Sequence, residues 1–314
     1  MIRLRFRDPT PGRGGRTFKL ILCAAVVLGV GSVSALSIDL VRLNKIAESP
    51  GDVGFVTDGG TLMICGGGPV PANVEDEFIR LAGGRNARLL VIPTAHVQTD
   101  GSGTEGDLDD WQAHGLASVA LFHARSRAEA NDPEFVRPLA DATAVWIGGG
   151  LQDRLTEVYS GTEVERQLRA LLDRGGVIGG NSAGAAVMTR VAILDGRDNA
   201  VVGQGFDFFQ GAVVDQHFLK RNRVRRLMGV VADHPDLVGF GIDERTALVV
   251  EVRTGRLHVI GNSYVMACIP ALADEPSRFE ILKRGDETDL ASLRRPDGVI
   301  ASGLDLNDVI VATH

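Results

Sequence analysis

Residues 176–188 read Gly-Val-Ile-Gly-Gly-Asn-Ser-Ala-Gly-Ala-Ala-Val-Met. Small and β-branched residues run into Gly180-Asn181-Ser182-Ala183-Gly184, after which Ala185-Ala186-Val187-Met188 favours helix. This is the G-x-S-x-G pattern of a strand that turns sharply into a helix. Side chains flanking the serine would clash in so tight a turn, so glycines stand on both sides. The pattern lifts Ser182 above a sheet edge, over a helix N-terminus whose unpaired N–H groups suit a developing oxyanion. A short motif of this kind also fits an ordinary serine in a glycine-rich turn, so its neighbours have to decide.

Upstream, Thr61-Leu62-Met63-Ile64-Cys65 reads as a short apolar strand running into Gly66-Gly67-Gly68-Pro69. Helical spacing follows over 72–81, with Val74, Phe78, Ile79 and Leu81 on one side. Further strands are expected at 88–93, 118–122 and 144–147, the last leading into Gly148-Gly149-Gly150, and a helix at 163–172. Beyond the elbow, 211–214 and 238–242 continue the alternation. Strands alternating with helices predict βαβ units and a mostly parallel sheet, an α/β fold. From Ala247 the texture changes. Apolar runs at 248–252, 257–260 and 264–268 are separated only by turns at Thr254-Gly255 and Gly261-Asn262. They predict antiparallel hairpins at the far edge of the same sheet. No internal repeat and no second domain boundary is visible, so 61–314 is read as one domain after a linker at 36–60.

The N-terminus has a different character. Arg3, Arg5, Arg7, Arg13, Arg16 and Lys19 precede an apolar run from Leu20 to Val33, and Val33-Ser34-Ala35 supplies small residues where a signal peptidase reads. That order predicts a signal peptide, or an uncleaved membrane anchor, over 1–35, and an extracytoplasmic (secreted or periplasmic) protein. The full chain of 314 residues carries a formal charge of −7. Residues 1–35 hold six bases and the single acid Asp8, so the remainder carries −12. A domain that acidic argues against nucleic acid as a partner. Cys65 and Cys268 lack metal-ligand spacing and read as small buried hydrophobes.

A serine nucleophile needs a base, a group to orient it and an oxyanion site. Among seven histidines, His217 stands out because Val213-Val214-Asp215-Gln216-His217-Phe218 places it where a strand should end. In an open α/β sheet ligands bind at that carboxyl edge, and Ser182 is predicted at the same edge. Gly239-Phe240-Gly241-Ile242-Asp243-Glu244-Arg245-Thr246 ends another strand on two acids, and either Asp243 or Glu244 suits the orienting role. The chain order Ser–His–acid differs from the Ser–acid–His order of α/β-hydrolases. Lys220, Arg221, Arg223, Arg225 and Arg226 are read as opening a helix directly after His217. Positions 223 and 226 then share a face from which guanidinium groups grip a substrate carboxylate.

Four segments taken together carry a resemblance: Gly148-Gly149-Gly150-Leu151-Gln152-Asp153-Arg154-Leu155, Gly180-Asn181-Ser182-Ala183-Gly184-Ala185, Asp215-Gln216-His217-Phe218 with its following arginines, and Gly241-Ile242-Asp243-Glu244-Arg245-Thr246-Ala247. In this order and spacing, over about residues 60–270, the chain resembles the cyanophycinase-like serine peptidases, a family that includes aspartyl dipeptidases. The resemblance implies a doubly wound α/β domain like that of class I glutamine amidotransferases, no metal or organic cofactor, and a dimer. It implies hydrolysis of cyanophycin, a polyaspartate bearing arginine on its side chains, to β-aspartyl-arginine, or of related aspartyl dipeptides. It makes Ser182 the nucleophile, His217 the base and Glu244 the orienting acid. The oxyanion would be held by N–H groups of Ala183 and of the Gly149-Gly150 turn. Gln152, Asp215, Gln216, Arg221, Arg223 and Arg226 are implied as substrate-binding. Asn181 departs from the pattern, standing where threonine is expected. Loss of turnover on the same scaffold would leave a secreted binding protein instead.

Overall fold

Ala144–Ile147 and Thr61–Cys65 are buried along their whole length, and Arg88–Ile92 and Val177–Asn181 over four of their five residues. Strands that are apolar without alternation belong in the middle of a parallel sheet covered on both faces. The computed structural model, which describes residues 59–96, 105–271 and 276–294, places them there. Numbered along the chain, β1 (Thr61–Cys65), β2 (Arg88–Ile92), β3 (Ser118–Leu121), β4 (Ala144–Ile147) and β5 (Val177–Asn181) lie parallel in the order β3-β2-β4-β5-β1. Helices cover the faces with apolar stripes. In Glu163–Asp173 the buried residues are Val164, Leu168, Leu171 and Leu172, a helical repeat. Each such side chain taken from water contributes about 1.5–3 kcal/mol.

After the elbow come a two-stranded hairpin, β6 (Val191–Asp195) with β7 (Val201–Gln204), then β8 (Ala212–Gln216), β9 (Val238–Ile242), β10 (Thr246–Glu251), β11 (Arg256–Gly261), β12 (Tyr264–Ile269), β13 (Arg278–Lys283) and β14 (Glu287–Asp289). β10, β11 and β14 extend the main sheet antiparallel beyond β1, giving eight strands. β8 and β9 pair in parallel across the helix Val224–Asp233, as the alternation predicts, but in a second sheet of order β13-β12-β9-β8. This corrects two expectations. The strand at 264–268 does not join the far edge of the main sheet, because β12 pairs with β9 instead. Nor do the strands carrying Ser182 and His217 share one sheet. An apolar run reveals that a strand is buried, not which neighbour it finds.

The two sheets share a core in which Leu248 and Val250 of β10 belong with Val214, Phe240, Ile242 and Val265 of the second sheet. The link between them is the three-residue corner Asp243-Glu244-Arg245, between the end of β9 and the start of β10. Arg245 turns it with φ 60°. All described residues fall in one compact unit, Asp52–His314, and among them no helix is long and apolar enough to cross a membrane. The leader or anchor expected over 1–35, and nearly all of the linker expected over 36–60, lie outside the described residues.

Candidate active site

Ser182 follows the last residue of β5 and is held there by its own N–H, which donates to the Cys65 carbonyl at 3.1 Å. Its backbone sits at φ 54°, ψ −104°, a conformation that costs an L-residue free energy and that recurs at functional turns. The flanking glycines are a steric necessity. A β-carbon on Gly180 would lie 2.5 Å from the Gly184 carbonyl oxygen, and one on Gly184 would lie 2.2 Å from that of Ile147. The helix beyond is a single turn, Ala183–Ala186, shorter than the run through Met188 suggests. So few aligned peptides sum to little macrodipole, and any help to an oxyanion comes from individual N–H groups.

His217 directly follows β8. Its N–H donates to the Gly66 carbonyl at 2.5 Å, and its backbone is also left-handed, at φ 50°. Its ring lies between the other two groups: Nε2 is 2.8 Å from Ser182 Oγ and Nδ1 is 2.7 Å from Glu244 Oε1. Glu244 stands on the corner between β9 and β10. The structure thus separates the two acids. Glu244 faces the imidazole, whereas Asp243 accepts from the N–H groups of Leu219 and Lys220 at 3.1 and 3.0 Å and from Ser263 Oγ at 2.9 Å. Burial pushes the His217 pKa below the usual imidazole value. The hydrogen bond that the ring donates to Glu244 opposes this, and the charges of Arg221 and Arg223 add to the depression. A neutral imidazole between a hydroxyl and a carboxylate is the arrangement that takes a proton from an attacking alcohol.

The glycines after β1, which the sequence marks only as the segment that strand runs into, gather all three groups. The Gly66 carbonyl takes the His217 N–H, the Gly67 carbonyl takes the Arg245 N–H at 2.9 Å beside Glu244, and the Gly68 carbonyl takes Asn181 Nδ2 at 3.1 Å beside Ser182. Three successive glycines between an apolar strand and a proline were the available signal. The turn at 148–150 passes the nucleophile on its other side, where a β-carbon on Gly149 would lie 3.4 Å from Ser182 Cβ. Among the described residues the N–H groups of Gly149, Gly150 and Ala183 find no backbone acceptor.

The residues expected to bind substrate divide. Asp215 and Arg226 close on each other. Arg226 Nε donates to Asp215 Oδ2 at 2.9 Å and Nη2 to Oδ1, with the side chains 0% and 2% exposed. The fork expected to grip a substrate carboxylate is therefore filled from within. Burial lifts the Asp215 pKa, against the pull of Arg226 and Arg223. The helix starts at Val224, not before Lys220, so Arg223 caps it and reaches the Gln216 carbonyl at 2.6 Å. Its guanidinium, depressed to about 10 by burial and then by Arg226, is half-buried. Arg221 is exposed. Gln216 is buried with Oε1 lacking a partner among the described residues. Gln152 Nε2 is spent on the backbone of β6, donating to the Ile193 carbonyl at 3.0 Å and to that of Leu194, where the β6–β7 register shifts. Cys65 and Cys268 are buried and unpaired, with thiols pushed up by burial, so neither supplies a rival nucleophile. Among the described residues no three His, Cys, Asp or Glu side chains converge as metal ligands.

Residues 62–258 match the model described as Peptidase family S51, a span that includes Ser182, His217 and Glu244. A protein named cyanophycinase from Synechococcus elongatus is 34% identical over 201 residues, 62% of this chain and 62% of that one. Another from Nostoc sp. is 34% identical over 202 residues, 62% of this chain and 67% of that one. The chain thus spans less than two thirds of the first relative's length. Among solved structures, a peptidase from an acI-B1 Actinobacterium superposes with a TM-score of 0.56 at 26% identity, covering 74% of this chain and 97% of that one.

Proposed function

The chain belongs to peptidase family S51, and from that premise we propose that it is a serine-type peptidase cleaving aspartyl-linked substrates, cyanophycin foremost. One observation carries the reading: Ser182 Oγ, the His217 imidazole and the Glu244 carboxylate lie in a continuous hydrogen-bonded series of 2.8 and 2.7 Å. In the proposed reaction His217 Nε2 takes the hydroxyl proton as Ser182 Oγ attacks the aspartyl carbonyl. Glu244 fixes the tautomer and stabilises the imidazolium. The negative oxygen of the tetrahedral adduct is met by the N–H of Ala183 and by N–H groups of the Gly149-Gly150 turn, a contribution of about 3 kcal/mol per donor. His217 returns its proton to the leaving amine, and water then hydrolyses the acyl-enzyme by the same route.

The substrate side rests on charge. Arg221 and Arg223 stand close enough to His217 to lower its pKa, so guanidinium groups border the site on the side of the base. Such groups suit carboxylates of an aspartyl chain. The names of the relatives support cyanophycin among aspartyl substrates. The order of basic and apolar residues in 1–35 supports export, and with it an enzyme acting on polymer outside the cytoplasm.

The test is to incubate the purified protein with cyanophycin, β-Asp-Arg and isoaspartyl dipeptides and follow which disappears. Cyanophycin should be consumed with release of β-Asp-Arg, and Ser182→Ala should abolish this without changing the fold. Undiminished turnover by that variant would remove the serine mechanism. Consumption of dipeptides alone would remove the polymer.

A further inference from the structure

Asp243 stands beside the acid of the site, yet its carboxylate is turned away from the imidazole. It joins two segments distant in sequence. Oδ1 accepts from the N–H groups of Leu219 and Lys220, the second and third residues after His217. Oδ2 accepts from Ser263 Oγ, in the turn between β11 and β12. The Ser263 N–H in turn donates to Thr246 Oγ1 at 2.8 Å, and Asn262 N–H to the Arg245 carbonyl at 2.9 Å. The segment carrying the base, the corner carrying the acid and the 262–263 turn therefore meet on one side chain. Both joined backbones need such a restraint, because His217 and Arg245 hold left-handed conformations at φ 50° and 60°.

We infer that Asp243 is a positioning residue that sets the contact between His217 and Glu244 by clamping the 217–220 segment to the 243–245 corner. The inference rests on the peptidase reading for its kinetic consequence, but the clamp itself is measurable apart from turnover. Removing it leaves two backbone N–H groups and one hydroxyl without their acceptor and lets Glu244 drift from Nδ1. A misplacement of about 1 Å at a reacting pair typically costs on the order of 10²-fold in rate. The clamp needs acceptor geometry and not charge. An asparagine offers the same oxygen to Leu219 and Lys220 and its amide N–H to Ser263 Oγ.

The experiment compares Asp243→Ala, Asp243→Asn and Glu244→Gln, singly and combined. Asp243→Ala should lose about 10²-fold in kcat with KM little changed, while Asp243→Asn stays within about threefold of the parent. In a Glu244→Gln background Asp243→Ala should cost much less than it does alone, since the contact it serves is already broken. Ser263→Ala strips a single bond from the clamp and carries the same comparison in a milder variant, so a failure of Asp243→Ala to fold does not end the test. Independently of any substrate, NMR titration of His217 reads the contact directly. The charges around that ring are Glu244, Arg221, Arg223 and Asp215. Both Asp243 variants lose one further negative charge, so their difference isolates the clamp. The imidazole should titrate lower in Asp243→Ala than in Asp243→Asn. Equal titration in the two, or fully additive losses with Glu244→Gln, would overturn the inference. Absence of hydrolysis by the parent, with the NMR difference intact, would fault the peptidase reading alone.

Discussion

Gly67 lies so close beneath the His217 ring that a β-carbon there would fall 2.3 Å from its Cε1 atom. The ring is held at its two nitrogens by Ser182 and Glu244, and the glycine backbone closes off the space beside Cε1. Its φ of 106° is also a conformation that L side chains rarely adopt. Gly67→Ala should displace the imidazole and reduce kcat by about 10²-fold or more. Gly83→Ala is the matched control, with φ 107° and only the Ala87 nitrogen, at 4.0 Å, near the added carbon. It should strain the backbone while leaving kcat unchanged. Equal kinetic losses in the two variants would mean that backbone strain, not the space beside the ring, matters at Gly67.

The pH dependence follows from His217. Only the neutral ring accepts the serine proton, so kcat/KM should rise with pH through the pKa of this group. Burial depresses that pKa, with Arg221 and Arg223 helping, so the rise should be centred below the usual imidazole value near 6.5. Arg221→Gln removes one nearby positive charge. That raises the pKa and moves the acid limb to higher pH. Because Arg221 is exposed, the difference should shrink as ionic strength rises from 0.1 to 1 M, where the screening length falls from about 10 to about 3 Å. A limb that stays put in Arg221→Gln at low salt would remove Arg221 from the electrostatics of the site.

Asp215 and Arg226 should behave as a buried pair. Arg226→Met leaves the Asp215 carboxylate in the core without its main partner, at a cost of about 3–5 kcal/mol in denaturant unfolding. Replacing both, as Asp215→Leu with Arg226→Met, should restore much of that loss. Were Arg226→Met to unfold at the parental midpoint and raise only KM, the arginine would be a substrate ligand after all.

Gln152 should matter through the hairpin it holds. Its amide nitrogen reaches two carbonyls of β6 at the point where the register against β7 shifts. Gln152→Glu turns a donor into an acceptor facing two acceptors. It should cost about 1–3 kcal/mol and speed hydrogen exchange of the β6 and β7 amides. Exchange unchanged in that hairpin would leave the side chain without this role.

Much of this was legible in the sequence because the signals are local. Gly180-Asn181-Ser182-Ala183-Gly184 announces a sharp turn through sterics alone, and the alternation of strands and helices gives β1 to β5 their parallel direction, though not their order in the sheet. What stayed hidden depends on partners far along the chain. Leu248-Val249-Val250 and Val265-Met266-Ala267 look alike as apolar runs, yet one pairs with β1 and the other with β9. Asp243 and Glu244 are adjacent acids whose roles differ only because one meets the backbone of 219–220 and the other meets a ring. Arg226 reads as a grip for a substrate carboxylate until the buried Asp215 is seen against it. The residues 66–68 lacked any polar side chain to draw notice, since their contribution is made by carbonyl oxygens.

The hydroxyl rides on one sheet, the imidazole on the other and its carboxylate on the corner that joins them, so the gap between nucleophile and base is a measure of how the two layers are docked. Slippage between layers would silence the chemistry while each sheet kept its own ladder intact. Heat or denaturant should therefore extinguish labelling of Ser182 by a fluorophosphonate before circular dichroism records any loss of strand.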